Sequence, residues 1–128
     1  MKFIRRPADA NQKEIVRELE KRGVQVCDLS SGSNGLPNLL CFYQGKTVLE
    51  EIKFDKSAKL KRTQIYFLST WRGYCGIARN VDEAYKLATE PEKYALTLEQ
   101  KSRLLCYYAR MDEKQVHLVT IEKLLEKV

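Results

Sequence analysis

Glu51 and Lys53 stand two residues apart in the stretch TVLEEIK. Side chains on a strand alternate, so Thr47, Leu49, Glu51 and Lys53 face one way while Val48, Glu50 and Ile52 face the other. A carboxylate beside an amine is a chemical unit: the carboxylate can hold a divalent cation, and the amine can stabilise an attacking or developing oxyanion. Phosphodiester hydrolysis uses the cation to neutralise phosphate charge and help ionise water, and it benefits from the amine in the same place. Mg²⁺ suits such a site, because it takes oxygen ligands in octahedral geometry and keeps waters beyond one or two carboxylates. Glu-x-Lys on a strand is nevertheless a weak signal by itself, since exposed strand faces commonly carry such pairs.

The surrounding residues position this unit. NLLCFY, a Gln44-Gly45 turn and TVLEEIK read as two antiparallel strands of a hairpin. VQVCDL (24–29) before them has the β-branched content of a strand, and SSGSNGLP is a polar, Gly-rich loop. Asn11 followed by Glu14 has capping-box spacing and predicts a helix over about 11–22, stopped by Gly23. FDKSAKLKR (54–62) reads as a polar loop, TQIYFLSTWR as a helix ended by Gly73, and YCGIAR as a further strand. Asn80 with Glu83 opens VDEAYKLAT as a helix, Pro91 interrupts helical continuity, and Thr97 with Gln100 opens LEQKSRLLCYYAR. VHLVT reads as a strand, with Thr120 capping IEKLLEKV. Helices alternating with strands predict an α/β fold with a mixed central sheet flanked by helices.

The motif Gly35-Leu36-Pro37-Asn38-Leu39, then Glu51-Ile52-Lys53, a basic loop and Gln64 at the start of a helix resembles the PD-(D/E)XK nuclease superfamily. Within it the pattern is most similar to the virus-type replication-repair nuclease (VRR-NUC) family, which is related to Holliday-junction-resolvase-like enzymes. The resemblance spans about Asn11 to Ala88. It implies a restriction-endonuclease-like αβββαβ core (about 11–89) with a C-terminal helical extension (about 92–128), together one nuclease domain over 1–128. It also implies a Mg²⁺- or Mn²⁺-dependent endonuclease acting on branched replication or repair DNA (junctions or flaps), often as a homodimer when the domain stands alone.

Residue by residue, the resemblance makes Glu51 the metal-binding carboxylate, Lys53 the catalytic lysine, Gln64 the helix glutamine beside the site and Glu14 an acidic residue reaching the metal. The Ile52 backbone carbonyl would be a further metal ligand, Lys53 would orient or activate the attacking water, and cleavage would leave a 5′-phosphate. Two of these residues have purely local explanations: Glu14 as a cap partner, and Gln64 as a solvated first-turn residue.

Asn38 departs from the family, which has a metal-binding Asp there. A neutral carbonyl oxygen replaces a carboxylate, and the site loses a full negative charge. Three readings follow: an engineered inactivating Asp-to-Asn change, a naturally degenerate nuclease that binds without cutting, or an active site that tolerates Asn. The first is favoured, because the rest of the motif is intact and the amide is nearly isosteric. The rival functions are a non-catalytic DNA-binding module and an RNA-processing nuclease.

The bulk properties agree with a polyanion partner without specifying it. The 128 residues are 44% hydrophobic and 31% charged, with a net charge of +6 and a pI near 9.2. Lys56, Lys59, Lys61 and Arg62 cluster after the Glu-Ile-Lys strand as candidate DNA contacts, opposed by Asp55, with Arg5, Arg6, Arg72 and Arg79 as candidate extensions. Tyr66, Phe67 and Trp71 are candidates for base stacking, although helical spacing assigns at least two of them to the core. His117, in an apolar segment, reads as structural, and the last third reads as packing or dimerisation surface. Cys27, Cys41, Cys75 and Cys106 are widely spaced, which indicates reduced, mostly buried thiols and no zinc ribbon or disulfide scaffold. No apolar run resembles a membrane span, and MKFIRRPADA lacks the apolar centre of a signal peptide, so the expected location is the cytoplasm of a bacterium or a phage-infected host cell.

Overall fold

Val48, Leu49, Glu50, Glu51 and Ile52 are all buried, so the strand bearing the Glu-Ile-Lys motif is covered on both faces. In the computed structural model, which describes residues 7–30, 32, 35–55 and 57–126, the chain runs α1 (Pro7–Lys21), β1 (Gln25–Asp28), β2 (Leu39–Tyr43), β3 (Lys46–Ile52), β4 (Lys59–Lys61), α2 (Arg62–Thr70), β5 (Cys75–Ala78), α3 (Val81–Thr89), α4 (Pro91–Tyr94), α5 (Leu98–Arg110), β6 (Gln115–His117) and α6 (Leu118–Glu126). The central sheet has the order β1-β2-β3-β5. β1, β2 and β3 form an antiparallel meander, and β5 joins β3 in parallel after the α2 crossover. The protein is therefore mixed α/β, with a four-stranded mixed sheet flanked by helices.

The alternation along β3 sorts the core into two layers. Val48 and Ile52 meet Ile15 and Leu19 of α1 and Ala84, Leu87 and Ala88 of α3. Leu49 on the other face joins Leu60, Ile65, Leu68, Leu104 and Ile121. Since Leu104 and Ile121 belong to α5 and α6, the C-terminal third completes the core beneath α2. Lys101 of α5 strengthens that union: it is buried, and its Nζ donates to the carbonyls of Trp71 at 2.5 Å and Gly73 at 2.9 Å where the chain leaves α2. Lys101→Met leaves both carbonyls without this donor, so urea unfolding is expected to show destabilisation by about 1–3 kcal/mol.

Several local signals act as expected. Gln44 and Gly45 both have positive φ (47° and 79°), the backbone that a two-residue hairpin turn with native twist requires. Asn80 Oδ1 accepts the Glu83 N–H at 2.8 Å, and Thr97 and Gln100 complete a reciprocal capping box. Three local expectations need correction. α1 begins at Pro7, so Asn11 lies inside the helix and Glu14 is not a cap partner. FDKSAKLKR is not all loop, because Lys59–Lys61 pairs antiparallel with β6. The VHLVT stretch splits: strand ends at His117, and Leu118 begins α6, whose buried Leu118 and Ile121 follow helical spacing. Thr120 thus lies within that helix. Cys41 and Cys75 are buried, Cys27 and Cys106 are exposed, and all four are free. Among the described residues, no helix is long and apolar enough to cross a membrane.

Candidate active site

The C-terminal end of β3, the start of β2, the first turn of α2 and β4 enclose a cleft of about 530 Å³. Asn38, Glu51, Ile52, Lys53, Gln64 and Lys61 all line it. Glu51 is 2% exposed, and Lys53 Nζ lies 3.4 Å from its Oε2. Burial raises the Glu51 carboxyl to about 7, against the pull of the Lys53 and Lys61 charges toward the ionised form.

Gln64 ties the pair to the helix. Its Oε1 accepts the Lys61 backbone N–H at 2.8 Å at the entry to α2. That bond fixes the amide's orientation and aims Nε2 at Glu51 Oε2, 3.1 Å away. Lys53 Nζ also reaches Gln64 Oε1 at 3.5 Å. One side chain therefore caps the helix, orients the carboxylate and contacts the amine.

Asn38 is held just as firmly. Its carbonyl accepts the Leu29 N–H at 2.7 Å, and its side-chain Oδ1 accepts the Ile52 N–H at 2.7 Å. β2 begins only at Leu39, so the Asn38 side chain extends the ladder by one bond beyond it. Because a backbone N–H requires an oxygen there, the Nδ2 amino group takes the amide's other position. Gly35 locks the same segment against α2: its φ is +83°, and a Cβ there would stand 2.6 Å from the Thr63 carbonyl oxygen. Gly35→Ala is expected to cost about 2 kcal/mol or more in thermal unfolding, from left-handed strain together with a clash against backbone.

These contacts test whether the residues fit a divalent cation. Glu51 supplies one carboxylate, while the one oxygen of the Asn38 side chain is already engaged. Among the described residues, no group of three or more His, Cys, Asp or Glu side chains is arranged to hold a metal ion. Asp55 also lines the cleft and accepts the Ser57 N–H at 3.2 Å. As present, the set does not fit a tightly held Mg²⁺ or Mn²⁺, and the deficit lies at position 38.

The remaining candidate residues distribute unevenly. Glu14 is exposed on α1 and does not line the cleft; that helix contributes Asn11 and Gln12 instead. The start of that helix at Pro7 makes Asn11 and Glu14, the pair with capping-box spacing, interior positions. Lys59 and Lys61 are exposed at the cleft wall. Arg62 turns aside, its guanidinium donating to the Met111 carbonyl at 2.7 Å and lying 4.1 Å over the Tyr108 ring. Lys56, Arg5 and Arg6 lie outside the described residues, and Arg79 is paired with Glu83 and Glu122. Tyr66 is about half exposed, whereas Phe67 is partly buried and stacks on Trp71 at 5.2 Å. His117, read from the sequence as structural, is exposed on β6 opposite Lys59.

Glu50 escaped the motif entirely. It is 0% exposed on the opposite face of β3, and neither carboxylate oxygen has a hydrogen-bond partner among the described residues. Burial raises it to about 8, and the neighbouring Cys41 thiol interacts with it without reaching hydrogen-bonding geometry. Only the central position of β3, which covers both faces, exposes this feature. No protein-family model matches the chain, and none of the curated proteins matches it.

Proposed function

We propose that this chain is a nuclease-type domain of the restriction-endonuclease-like PD-(D/E)XK class, similar to the VRR-NUC family, whose hydrolytic site is disabled at Asn38. The observation that carries this reading is the convergence of Asn38, Glu51, Lys53 and Gln64 on one cleft, with Gln64 bonded to both functional groups. Residues from a strand start, a strand end and a helix start meet there. The succession of α1, β1, β2, β3, α2 and β5 around the central sheet, with β4 set apart from it, supports the same assignment, and the resemblance implies branched DNA as the substrate class and a homodimer as the form that takes it.

The chain's own residues define the chemistry. Lys53, Lys59 and Lys61 would draw a phosphate group into the cleft. Lys53 would offset charge developing on an oxygen beside Glu51, and Gln64 would keep carboxylate and amine in register. With Asn38→Asp, a divalent cation would find two carboxylates and the Ile52 carbonyl, and would supply charge neutralisation and water ionisation.

A second reading, a DNA-binding module without catalysis, is favoured by the Asn38–Ile52 bond, which satisfies the strand end with no cation. The deciding experiment incubates labelled four-way junction, flap and duplex DNA, and matching RNA, with Mg²⁺ or Mn²⁺. The proposal expects cutting by Asn38→Asp and its loss when Lys53→Ala or Glu51→Ala is added. Binding without cutting by either form leaves the binding module standing, and cutting that survives Glu51→Ala together with Lys53→Ala removes these residues from the mechanism.

A further inference from the structure

β4 and β6 form a separate two-stranded ribbon in which Leu60 pairs with Val116, Lys59 with His117 and Lys61 with Gln115. Leu60 and Val116 are buried in the core, so strand alternation turns Lys59, Lys61, Gln115 and His117 outward, and all four are exposed. Main-chain bonds pin the ribbon at both ends, Arg62 N–H to the Lys114 carbonyl and Leu118 N–H to the Ala58 carbonyl, each 2.8 Å. It is a fixed surface continuous with the cleft.

Two concavities share this wall. Lys61 lines the cleft that holds Glu51 and also lines a second one, of about 570 Å³, with Arg62, Thr63, Lys114 and Gln115. Lys59, Lys61 and Lys114 are not within salt-bridge distance of any described carboxylate. The acidic neighbours are Asp55 in the cleft and exposed Asp112 and Glu113 just before Lys114. Lys59 and Lys61 lie roughly 6.6 Å apart along β4 and on the same face of it.

We infer that the β4–β6 ribbon, with Lys114 at its end, is a second DNA contact that carries the sugar-phosphate backbone out of the cleft and across the C-terminal third. Lys59, Lys61 and Lys114 neutralise phosphates, while Gln115 and His117 beside them offer hydrogen-bond donors. The inference rests on the reading of the cleft as a DNA site, and it gives the C-terminal extension a role in binding beyond its packing beneath α2.

The test is the affinity of native protein for a labelled duplex as a function of salt. Removing one lysine that neutralises a phosphate lowers the slope of log affinity against log salt by about 1. Lys114→Gln is expected to lower the slope by about 1, and Lys59→Gln with Lys114→Gln by about 2. Lys86→Gln, an equal charge change on exposed α3, leaves it unchanged. Equal slopes for Lys114→Gln and native protein overturn the inference, as does absence of duplex binding by the native chain. The cleavage experiment is independent of this one. If Asn38→Asp cuts while Lys114→Gln binds normally, only the ribbon contact falls. If Lys114→Gln lowers the slope while Asn38→Asp never cuts, the ribbon stands and the nuclease reading falls.

Discussion

Asn38→Asp is expected to raise Mg²⁺-dependent cleavage of branched DNA by roughly 10²–10³-fold over the native chain, the scale on which one well-placed electrostatic group acts in a reaction. The native amide uses its oxygen to accept the Ile52 N–H at 2.7 Å, which leaves its amino group in the other position. In Asn38→Asp one oxygen keeps that bond, and the other places a carboxylate at the same end of the sheet as Glu51. Like charges in so small a space raise each other's pKa, and Glu51 already lies near 7. Without a cation, therefore, Asn38→Asp is expected to melt below the native protein. Added Mg²⁺ is expected to offset that destabilisation, because binding to the folded state stabilises it by RT ln(1 + [Mg²⁺]/Kd), about 2.7 kcal/mol at a hundredfold excess over Kd. Asn38→Ala separates charge from structure: it orphans the Ile52 N–H, costs about 1–3 kcal/mol and gains no response to Mg²⁺. Scanning calorimetry with EDTA or Mg²⁺ checks this independently of turnover. A melting temperature of Asn38→Asp indifferent to Mg²⁺ and Mn²⁺, together with no cleavage, would sink the reading of position 38.

What could be read from the residues alone divides by the range of the interactions involved. The Gln44-Gly45 turn, the Asn80 and Thr97 caps and the shared face of Glu51 and Lys53 depend on neighbours within a few positions, and pattern reaches those. The Asn11 capping box failed although its spacing was right, because a proline farther upstream offered an earlier start with a pre-set φ. β4 was missed for the opposite reason. Three residues of Lys-Leu-Lys hold no strand signal of their own, and their partner, β6, lies at the far end of the chain. The position of His117 and Lys114 beside Lys59 and Lys61 therefore follows from that pairing and from nothing local. Glu50 is the most instructive case, since it shares a strand face with Val48 and Ile52 but belongs to no motif that assigns it a role. The parallel addition of β5 and the packing of α3 cover that face.

The same buried Glu50 makes stability expected to rise on mild acidification, opposite to ordinary acid unfolding. Its cross-strand partners are Leu39 and Gly76, the α1 and α3 side chains close over it, and neither oxygen finds a donor among the described residues. Its folded pKa is raised from 4.5 to about 8, chiefly by burial, so between those values the folded state binds a proton that the unfolded chain has released. Stability then falls as pH rises through that window, by about 1.4 kcal/mol per pH unit for each such group, and levels off above it. Glu51, raised to about 7, adds a slope of the same sign that ends about one unit earlier. Between about pH 7 and pH 8 the residual slope belongs to Glu50. Urea titrations across this range are expected to show the slope in native protein and its absence in Glu50→Gln. Glu50→Met also removes the desolvated charge, and is expected to exceed native stability by roughly 2–4 kcal/mol at about pH 8.5. A native stability that is flat from about pH 6 to 8.5, with Glu50→Met no more stable than native at the upper end, would mean that Glu50 is solvated or paired and titrates as an ordinary carboxylate.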